Sequence, residues 1–230
     1  MPVFLLNKQN IFPSPDMAEE NGLLAVGGDL SPARLIAGYK IGVFPWFSEG
    51  DPLLWWFTSP RLVLFPDEFR IPRRLRRYQK KMAVIITRDK AFSRVIRACA
   101  EIRIAAGEET WIVDKMQQAY LKLHEMGYAH SVECWIHDDL AGGLYGVALD
   151  KVFFGESMFS YVSNCSKFAL IELMSYIKKR NFGLIDCQMT TDLLLSFGAR
   201  ELTGKQFQMQ LQSHIHNTTP DGTWNDKNKK

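Results

Sequence analysis

The stretch "HSVECWIHDDLAGGLYGVALDKVFFGES", residues His130–Ser157, decides the fold of this 230-residue chain. It contains three runs rich in β-branched and aromatic residues, which are separated by the acidic turns "HDD" and "ALDK". Runs of this kind with turn residues between them are typical of strands that pair antiparallel, each with the next. The sequence therefore predicts a β-meander in the second half of the chain.

Helices are predicted on both sides of this meander. Residues 114–127, "DKMQQAYLKLHEMG", have an apolar stripe at helical spacing that ends at a glycine. Residues 166–183, "SKFALIELMSYIKKRNFG", predict a second helix with a basic last turn, and the short strand "GLIDCQ" follows it. Strands and helices in this order predict a mixed α/β layer fold of the α+β class.

The chain divides into a small and a large domain. Residues 1–65 are rich in Pro, Gly and Trp, and only Ser31–Gly42 has the cap and proline of a helix there. These residues predict a small N-terminal domain, whereas the regular elements of residues 66–216 predict a larger one. Residues 217–230, "NTTPDGTWNDKNKK", are polar and predict a loose tail.

Composition limits the class of protein. Hydrophobic residues make up 47% of the chain and charged residues 23%, which is typical of a globular protein with a packed core. No apolar run is long enough to span a bilayer, and the first residues lack the pattern of a signal peptide. The four cysteines form no C-x-x-C pair, which indicates free thiols in a reducing compartment. We expect a cytoplasmic monomer that does not bind membranes.

A metal site is not expected. The segment "HEMGYAH" superficially resembles a zinc-protease motif, but His124 and His130 are six residues apart with Gly127 between them. A zinc-binding helix needs its histidines at i and i+4, on one face. The sequence therefore predicts no metal ligands here.

A dense basic run precedes the regular elements. In Arg70–Lys81, "RIPRRLRRYQKK", seven of the twelve residues are Lys or Arg. A solvated helix face is one interpretation, but like charges at neighbouring helical positions repel, and no acidic residue is interleaved. Contact with a polyanion is the interpretation we favour. The candidate contacts are Arg73, Arg74, Arg76, Arg77, Lys80 and Lys81.

Polar residues interrupt two of the predicted strands. Strand alternation places Asp186 and Gln188 on one face, and it likewise predicts that Glu156 and Met158 share a face. If the two strands are neighbours, Glu156 lies in the same cleft as Asp186 and Gln188. Two carboxylates beside a carboxamide suit a reaction in which an amine loses protons as it attacks a carbonyl. A structural hydrogen-bond network is the alternative, and it stays open from these residues alone.

The predicted order of a meander, a helix and a further strand is similar to the N-acetyltransferase (GNAT) fold. Enzymes of that fold usually hold the coenzyme A pyrophosphate with a glycine-rich turn before a helix. The corresponding residues 161–167, "YVSNCSK", contain no glycine, so the backbone is poorly suited to a close approach by phosphate. Coenzyme A is therefore not expected.

A more specific resemblance covers nearly the whole chain. The segments "GLLAVGGDLSP", "GVFPWF", "ETWI", "DDLAGGLYGVA", "FFGESMFS" and "LIDCQ" resemble, in the same order, those of the bacterial leucyl/phenylalanyl-tRNA–protein transferases. The resemblance implies a small N-terminal domain, a GNAT-like C-terminal domain and an aminoacyltransferase. It also implies transfer of Leu or Phe, sometimes Met, from aminoacyl-tRNA to a protein with N-terminal Arg or Lys, which marks that protein for N-end rule degradation. No cofactor is implied, because an aminoacyl ester is already activated.

The resemblance also implies roles for particular residues. Gln188 matches the position at the attacking amine, where we expect it to orient the amine because an amide is a feeble base, and Asp186 is expected to polarise it. Glu156 is expected to position the donor's amino acid. The aminoacyl pocket is expected to be lined by Leu144, Glu156, Met158 and Ile185.

Contacts with tRNA follow from the same resemblance. Trp46 and Trp111 match family positions and could stack on the terminal adenosine, although ordinary core aromatics are an equal alternative. The basic run is then expected to contact the acceptor-stem phosphates. A coenzyme A-dependent N-acetyltransferase and a non-catalytic RNA-binding protein are the two other functions considered.

Overall fold

Two β-sheets of unequal size organise the chain, of which the computed structural model describes residues 3–107 and 109–225. The small sheet has the strand order β1-β2-β4-β3 and the large sheet the order β11-β5-β10-β9-β8-β7-β6. The strands are β1 (Phe4–Leu6), β2 (Leu23–Gly27), β3 (Phe44–Pro45), β4 (Leu54–Trp56), β5 (Arg61–Leu64), β6 (Ile85–Arg88), β7 (Ala129–Ile136), β8 (Asp139–Leu149), β9 (Val152–Ser160), β10 (Leu184–Gln188) and β11 (Arg200–Leu202).

Helices connect and cover these sheets. The helix over Ser31–Gly42 begins as predicted, since the Ser31 hydroxyl accepts from the backbone N–H of Arg34 and a proline follows the cap. The helices are α1 (Pro32–Lys40), α2 (Arg73–Gln79), α3 (Phe92–Ala105), α4 (Asp114–Glu125), α5 (Cys165–Lys179), α6 (Asp192–Ser196) and α7 (Gly204–His214), with a 3-10 turn at Pro15–Met17.

The predicted meander is confirmed, and it forms the centre of the large sheet. Strands β7, β8 and β9 pair antiparallel in sequence order. Strand β10 then joins β9 in parallel, a pairing that needs a crossover, and α5 supplies it. The mixed α/β class of the α+β type is therefore confirmed.

Strands β9 and β10 diverge after a short ladder. Residues Leu184–Asp186 pair with Val152–Phe154, and β9 then continues to Ser160 beside β8 alone. A β-bulge interrupts the β8–β9 pairing, because Tyr145 pairs with Ser157 but Gly146 pairs with Gly155. Bulges bend a strand and increase its twist. The divergence leaves a gap in the sheet, and the cleft described below opens there.

Apolar side chains fill both faces of the large sheet. One face packs against α5, with Phe153 and Ile185 of the sheet against Phe168 and Leu173 of the helix. The other face packs against α3, α4 and the N-terminal residues in a single cluster. The two predicted domains therefore contribute to one core. Strand β5 already belongs to the large sheet, so the change from the small sheet to the large one comes before the predicted boundary at residue 65.

The predicted loose tail is wrong for residues 217–225. Trp224 is only 1% exposed, and its ring stacks on that of His130 with 4.0 Å between centroids. Its backbone N–H donates to the Asp89 carboxylate at 2.7 Å. The prediction rested on the polar composition of the segment and gave no weight to its single tryptophan, Trp224, whose buried side chain anchors it. Residues 226–230 of the predicted tail lie outside the described residues.

The described residues contain neither a membrane-spanning helix nor a cluster of metal-binding side chains. No helix in the described ranges has both the length and the apolar character needed to cross a membrane. Within the same ranges, no group of three or more His, Cys, Asp or Glu residues is arranged to hold a metal ion.

Candidate active site

A cleft of about 460 Å³ opens where β9 and β10 diverge. Most of its lining is apolar and comes from the sheet and from α5, which covers one end. The four residues predicted to line an aminoacyl pocket, Leu144, Glu156, Met158 and Ile185, all lie in this lining, together with Phe153, Leu170 and Leu173. Gln188 lines it as well. The cleft is therefore an apolar pocket with a polar wall.

Glu156 provides the carboxylate of that polar wall. The hydroxyl of Tyr39, from α1, donates to Oε1 at 2.6 Å, and that of Tyr120, from α4, donates to Oε2 at 2.8 Å. The two tyrosine hydroxyls also contact each other, and because each carries a single proton, this contact is a hydrogen bond only when one of them does not donate to Glu156. Burial raises the pKa of both tyrosines well above the ordinary value, so they remain protonated donors. Three elements distant in sequence thus fix one carboxylate.

The same environment changes the acidity of Glu156. Burial raises the pKa of this carboxyl to about 7, and the charge of Asp186 adds to the rise. The hydrogen bonds from Tyr39 and Tyr120 and the charge of Arg61 act in the opposite direction. A carboxyl that titrates near neutral pH can accept or release a proton under physiological conditions.

The prediction that Glu156 and Met158 share a face is wrong. Glu156 points to the tyrosines of α1 and α4, whereas Met158 packs against the core on the α5 side of the sheet. The bulge between Gly155 and Ser157 adds one residue, so strict alternation does not continue through it. As a result, the side chains of Glu156 and Met158 point to opposite sides of β9, although both residues line the cleft.

Asp186 is fully buried behind the cleft and does not line it. Its carboxylate forms a bidentate ion pair with Arg61, with Nε–Oδ1 and Nη2–Oδ2 both at 2.7 Å. Arg61 also donates to the carbonyl of Gly42 at 3.0 Å, and the rings of Phe44 and Phe207 lie within 5 Å of its guanidinium. Both charges are therefore compensated in a dry environment.

This ion pair acts on Gln188 through the backbone. The N–H of Gln188 donates to Asp186 Oδ1 at 3.0 Å, and Gln188 adopts a φ of 55°. Positive φ is unfavourable for a residue other than glycine and requires support from the surroundings. Polarisation of the Gln188 side chain by Asp186 was expected, but the interaction observed is with the backbone. Asp186 therefore holds the turn that directs Gln188 to the cleft.

Trp46 and Trp111 both lie in the lining of the cleft. Their rings meet edge to face with centroids 6.4 Å apart, and Trp46 is 38% exposed. Trp111 is half-buried, and the guanidinium of Arg103 lies 4.1 Å from its ring centroid. The interpretation of ordinary core aromatics therefore does not hold for Trp46, which offers an accessible ring.

The basic run forms α2 and the turn after it. Leu75 is buried and holds the helix on the large domain, whereas the basic side chains face outward. None of these cations forms an ion pair with another of the residues described in the structure. The exposed set comprises Arg73, Arg74, Arg76, Arg77, Lys80 and Lys81.

Three residues of the site were missed from sequence. Arg61 is separated from Asp186 by 125 positions, and only its place at the start of the apolar run "RLVLF" signalled a buried cation. Tyr120 lies on the apolar stripe of the helix predicted over residues 114–127, and Tyr39 has no distinguishing signal in its helix. A tyrosine on a core-facing stripe has a hydroxyl that needs a partner when buried, and that requirement was the available clue.

Known proteins with similar sequences show the family of this chain. A family model described as "Leucyl/phenylalanyl-tRNA protein transferase" matches residues 63–212, and the model of that family's N-terminal domain matches residues 28–59. A leucyl/phenylalanyl-tRNA–protein transferase of Desulfotalea psychrophila is 58% identical over 224 residues, which cover 97% of this chain and 99% of that one. The corresponding protein of Desulforapulum autotrophicum is 49% identical, with 97% and 98% covered.

Solved structures add only a remote similarity. An aminoglycoside acetyltransferase from an uncultured soil sample, in complex with sisomicin, has a TM-score of 0.38 and 14% identity, covering 50% of this chain and 84% of that one. Sequence similarity is much stronger and extends over both domains. The chain belongs to the leucyl/phenylalanyl-tRNA protein transferase family.

Proposed function

We propose that this protein transfers Leu or Phe, and also Met, from aminoacyl-tRNA to the N-terminal Arg or Lys of an acceptor protein. The product then carries a new N-terminal residue that marks it for N-end rule degradation. Relatives with this activity in their names support the transfer of Leu or Phe from tRNA to protein. The observation that carries the proposal is a carboxyl, that of Glu156, held by two tyrosine hydroxyls in the wall of an otherwise apolar cleft.

The reaction needs little beyond positioning. The acceptor's α-amine attacks the ester carbonyl carbon, a C–N bond forms, and the C–O bond to the terminal ribose breaks. One proton leaves the amine, and the ribose oxygen takes one up. Because the ester is already activated, holding both reactants in the correct geometry supplies much of the rate. No cofactor is required for this balance.

Glu156 is proposed to hold the donor's amino group. Each of its oxygens accepts one tyrosine hydrogen bond, and a carboxylate oxygen has capacity for a further donor. With a pKa of about 7, it is substantially ionised at neutral pH and attracts an ammonium group. This interaction fixes the donor's carbonyl relative to the acceptor.

The apolar pocket is proposed to take the donor's side chain. Leu144, Met158 and Ile185 lie around it, and Phe153 forms part of the same surface. Apolar contacts discriminate weakly, because a methylene group is worth only about 1–3 kcal/mol. A range of apolar donors such as Leu, Phe and Met therefore suits this site better than a single amino acid.

Gln188 is proposed to orient the attacking amine. Its backbone is held by Asp186, and Asp186 is held in turn by Arg61, so the carboxamide is presented to the cleft by a rigid support. The amide oxygen can accept from the amine, although it cannot serve as an effective base. Asp186 and Arg61 are accordingly positioning residues.

The tRNA is proposed to bind along one surface. Trp46 and Trp111 supply rings on which the terminal adenosine could stack, and the exposed cations of α2 suit acceptor-stem phosphates. We further propose that the protein acts as a monomer in the cytoplasm. The cleft is lined by residues of a single chain, which supports a monomer. The four cysteines of the protein form no disulfide bonds, which supports a reducing compartment such as the cytoplasm.

A transfer assay tests this proposal. Radiolabelled Leu on Leu-tRNA is offered with a peptide that begins with Arg, and a matched peptide that begins with Ala is the control. We expect label to enter the Arg peptide and not the Ala peptide, with Phe-tRNA giving the same pattern. Failure of both charged tRNAs to donate label to the Arg peptide would contradict the proposal.

A further inference from the structure

A second cavity of about 360 Å³ lies beside the cleft, between α2, the start of α5 and α6. We name it the α2 pocket; its lining includes Arg74, Tyr78, Asn164, Lys167 and Leu193. Its size falls within the range of about 300–1,000 Å³ that is usual for small-ligand sites. The α2 pocket has no part in the transfer chemistry described above.

The lining combines cations with an accessible aromatic ring. Tyr78 is 38% exposed, yet its ring is held in place by stacking on buried Phe168, with 6.1 Å between centroids. Arg74 is exposed on α2, and Lys167 donates from Nζ to Asn164 Oδ1 at 2.9 Å. Among the described residues, none of those lining the α2 pocket is acidic. This combination suits an anion attached to a flat, stackable group.

A nucleotide of single-stranded RNA has these two properties. Its base can stack on an aromatic side chain, and its phosphate can be held by nearby Arg and Lys groups. A duplex offers phosphates but keeps its bases stacked inside. An oriented aromatic ring beside two cations therefore favours an unpaired nucleotide over a stretch of double helix.

The α2 pocket adjoins the cleft, and the two share one lining residue. Leu193 of α6 lines both cavities, so the two lie on either side of a short helix. The single-stranded 3′ end of tRNA must leave the cleft if its terminal aminoacyl ester lies inside. A path over Leu193 leads that strand to Tyr78 and the cations of α2.

We propose that the α2 pocket binds a cytidine nucleotide that precedes the terminal adenosine of the tRNA. Its base stacks on Tyr78, and its phosphate lies between Arg74 and Lys167. This inference rests on the proposed function, because it requires the aminoacyl end to occupy the cleft. The α2 pocket thereby lets the basic helix bind the unpaired end of the RNA as well as the stem.

Binding of two RNAs tests the proposal: uncharged tRNA, and the same tRNA lacking its 3′ CCA. Dissociation constants are measured at one salt concentration for wild type, Tyr78→Ala, Arg74→Gln and Lys167→Gln. We expect Tyr78→Ala to weaken binding of intact tRNA about tenfold, since the base then has no ring on which to stack. Each charge variant should weaken it about fivefold. Tyr78→Ala and Lys167→Gln should leave binding of the truncated tRNA unchanged, whereas Arg74→Gln also removes one of the exposed α2 cations and should weaken binding of the truncated tRNA less than it weakens binding of intact tRNA.

Two control variants complete the design. Arg77 lies on the same helix and is exposed, but it does not line the α2 pocket. Arg77→Gln should therefore weaken binding of intact and truncated tRNA by the same factor. Tyr78→Phe keeps the ring and should bind like wild type. Thermal unfolding of each variant separates a defect in binding from a defect in folding.

The outcomes distinguish the inference from the function on which it rests. If Tyr78→Ala weakens binding of both RNAs equally, or weakens binding of neither, the α2 pocket assignment is overturned while the transferase proposal stays intact. If wild type binds neither RNA, the proposed function fails, and the assignment fails with it. Selective weakening of intact-tRNA binding supports both.

Discussion

Arginine side chains occupy two contrasting environments in this molecule. Arg61 is fully buried, pairs with Asp186 through two hydrogen bonds and lies among aromatic rings. The arginines of α2 are exposed and form no ion pair with other described residues. A dry, paired arginine supports neighbouring groups in a fixed position, whereas wet, unpaired arginines are available to a ligand and respond to salt. The same side chain thus has a positioning role in one place and a binding role in the other.

The largest expected effect comes from breaking the buried pair. Arg61→Met should lower the free energy of unfolding by about 3–5 kcal/mol, because the Asp186 carboxylate is left buried without its partner. Urea-induced unfolding measures the change. The matched variant Arg74→Met in α2 should remain within about 0.5 kcal/mol of wild type. Similar losses of stability from both changes would remove the distinction between the two environments.

A pH-dependent effect follows from the half-buried carboxyl of Glu156. Burial raises its pKa to about 7 from an ordinary 4.5, so between these values the folded protein binds a proton that the unfolded protein releases. The contribution of Glu156 to the free energy of unfolding therefore falls as the pH rises through this window, by on the order of 3 kcal/mol.

Unfolding of wild type and Glu156→Gln at several pH values isolates that contribution. The difference in unfolding free energy between the two proteins should change between about pH 4.5 and pH 7 and stay constant above it. Parallel stability curves for the two proteins across this range would show that the Glu156 pKa is not raised.

The salt dependence of tRNA binding should distinguish variants of the exposed arginines of α2 from a variant of the buried Arg61. Removing one phosphate-binding cation from α2 should reduce the slope of log affinity for tRNA against log salt by about 0.7–0.9. Arg76→Gln is the test variant, and Arg61→Lys, which keeps its charge inside the protein, is the control. An unchanged slope in Arg76→Gln would show that this side chain does not bind a phosphate.

The smallest expected effect compares two buried tyrosines. The Tyr145 hydroxyl has no hydrogen-bond partner among the described residues, whereas that of Tyr120 donates to Glu156. Tyr145→Phe should leave stability unchanged or raise it by up to about 1 kcal/mol, and Tyr120→Phe should lower it by about 1–3 kcal/mol. Thermal unfolding of the two variants measures both, and a larger destabilisation in Tyr145→Phe would reverse this ranking.

Local patterns explain what could be predicted from the sequence. The meander and its flanking helices follow from turn residues and apolar spacing, which act over a few neighbouring positions. The polar residues at 156, 186 and 188 were identifiable because they interrupt apolar strands. Each of these signals is present in a short window of the chain.

Long-range and irregular features could not be predicted in the same way. The partner of Asp186 is 125 positions away, and no local pattern specifies that pairing. Strand alternation wrongly predicted that Met158 and Glu156 lie on the same face of β9, because a β-bulge inserts one extra residue into the strand at this point. The amino-acid composition of the strand does not reveal this bulge. The polar tail concealed the buried Trp224.

The most direct test of the account is single-turnover transfer of labelled Leu from Leu-tRNA to an Arg peptide by Gln188→Ala, with Leu-tRNA binding measured in parallel. We expect Gln188→Ala to transfer Leu at a rate about 100-fold below wild type, because the attacking amine loses its orienting group. Binding of Leu-tRNA should be unchanged, since α2 and the apolar pocket are intact. Wild-type transfer by Gln188→Ala would contradict the claim that the buried Arg61–Asp186 pair serves transfer by presenting Gln188 to the cleft.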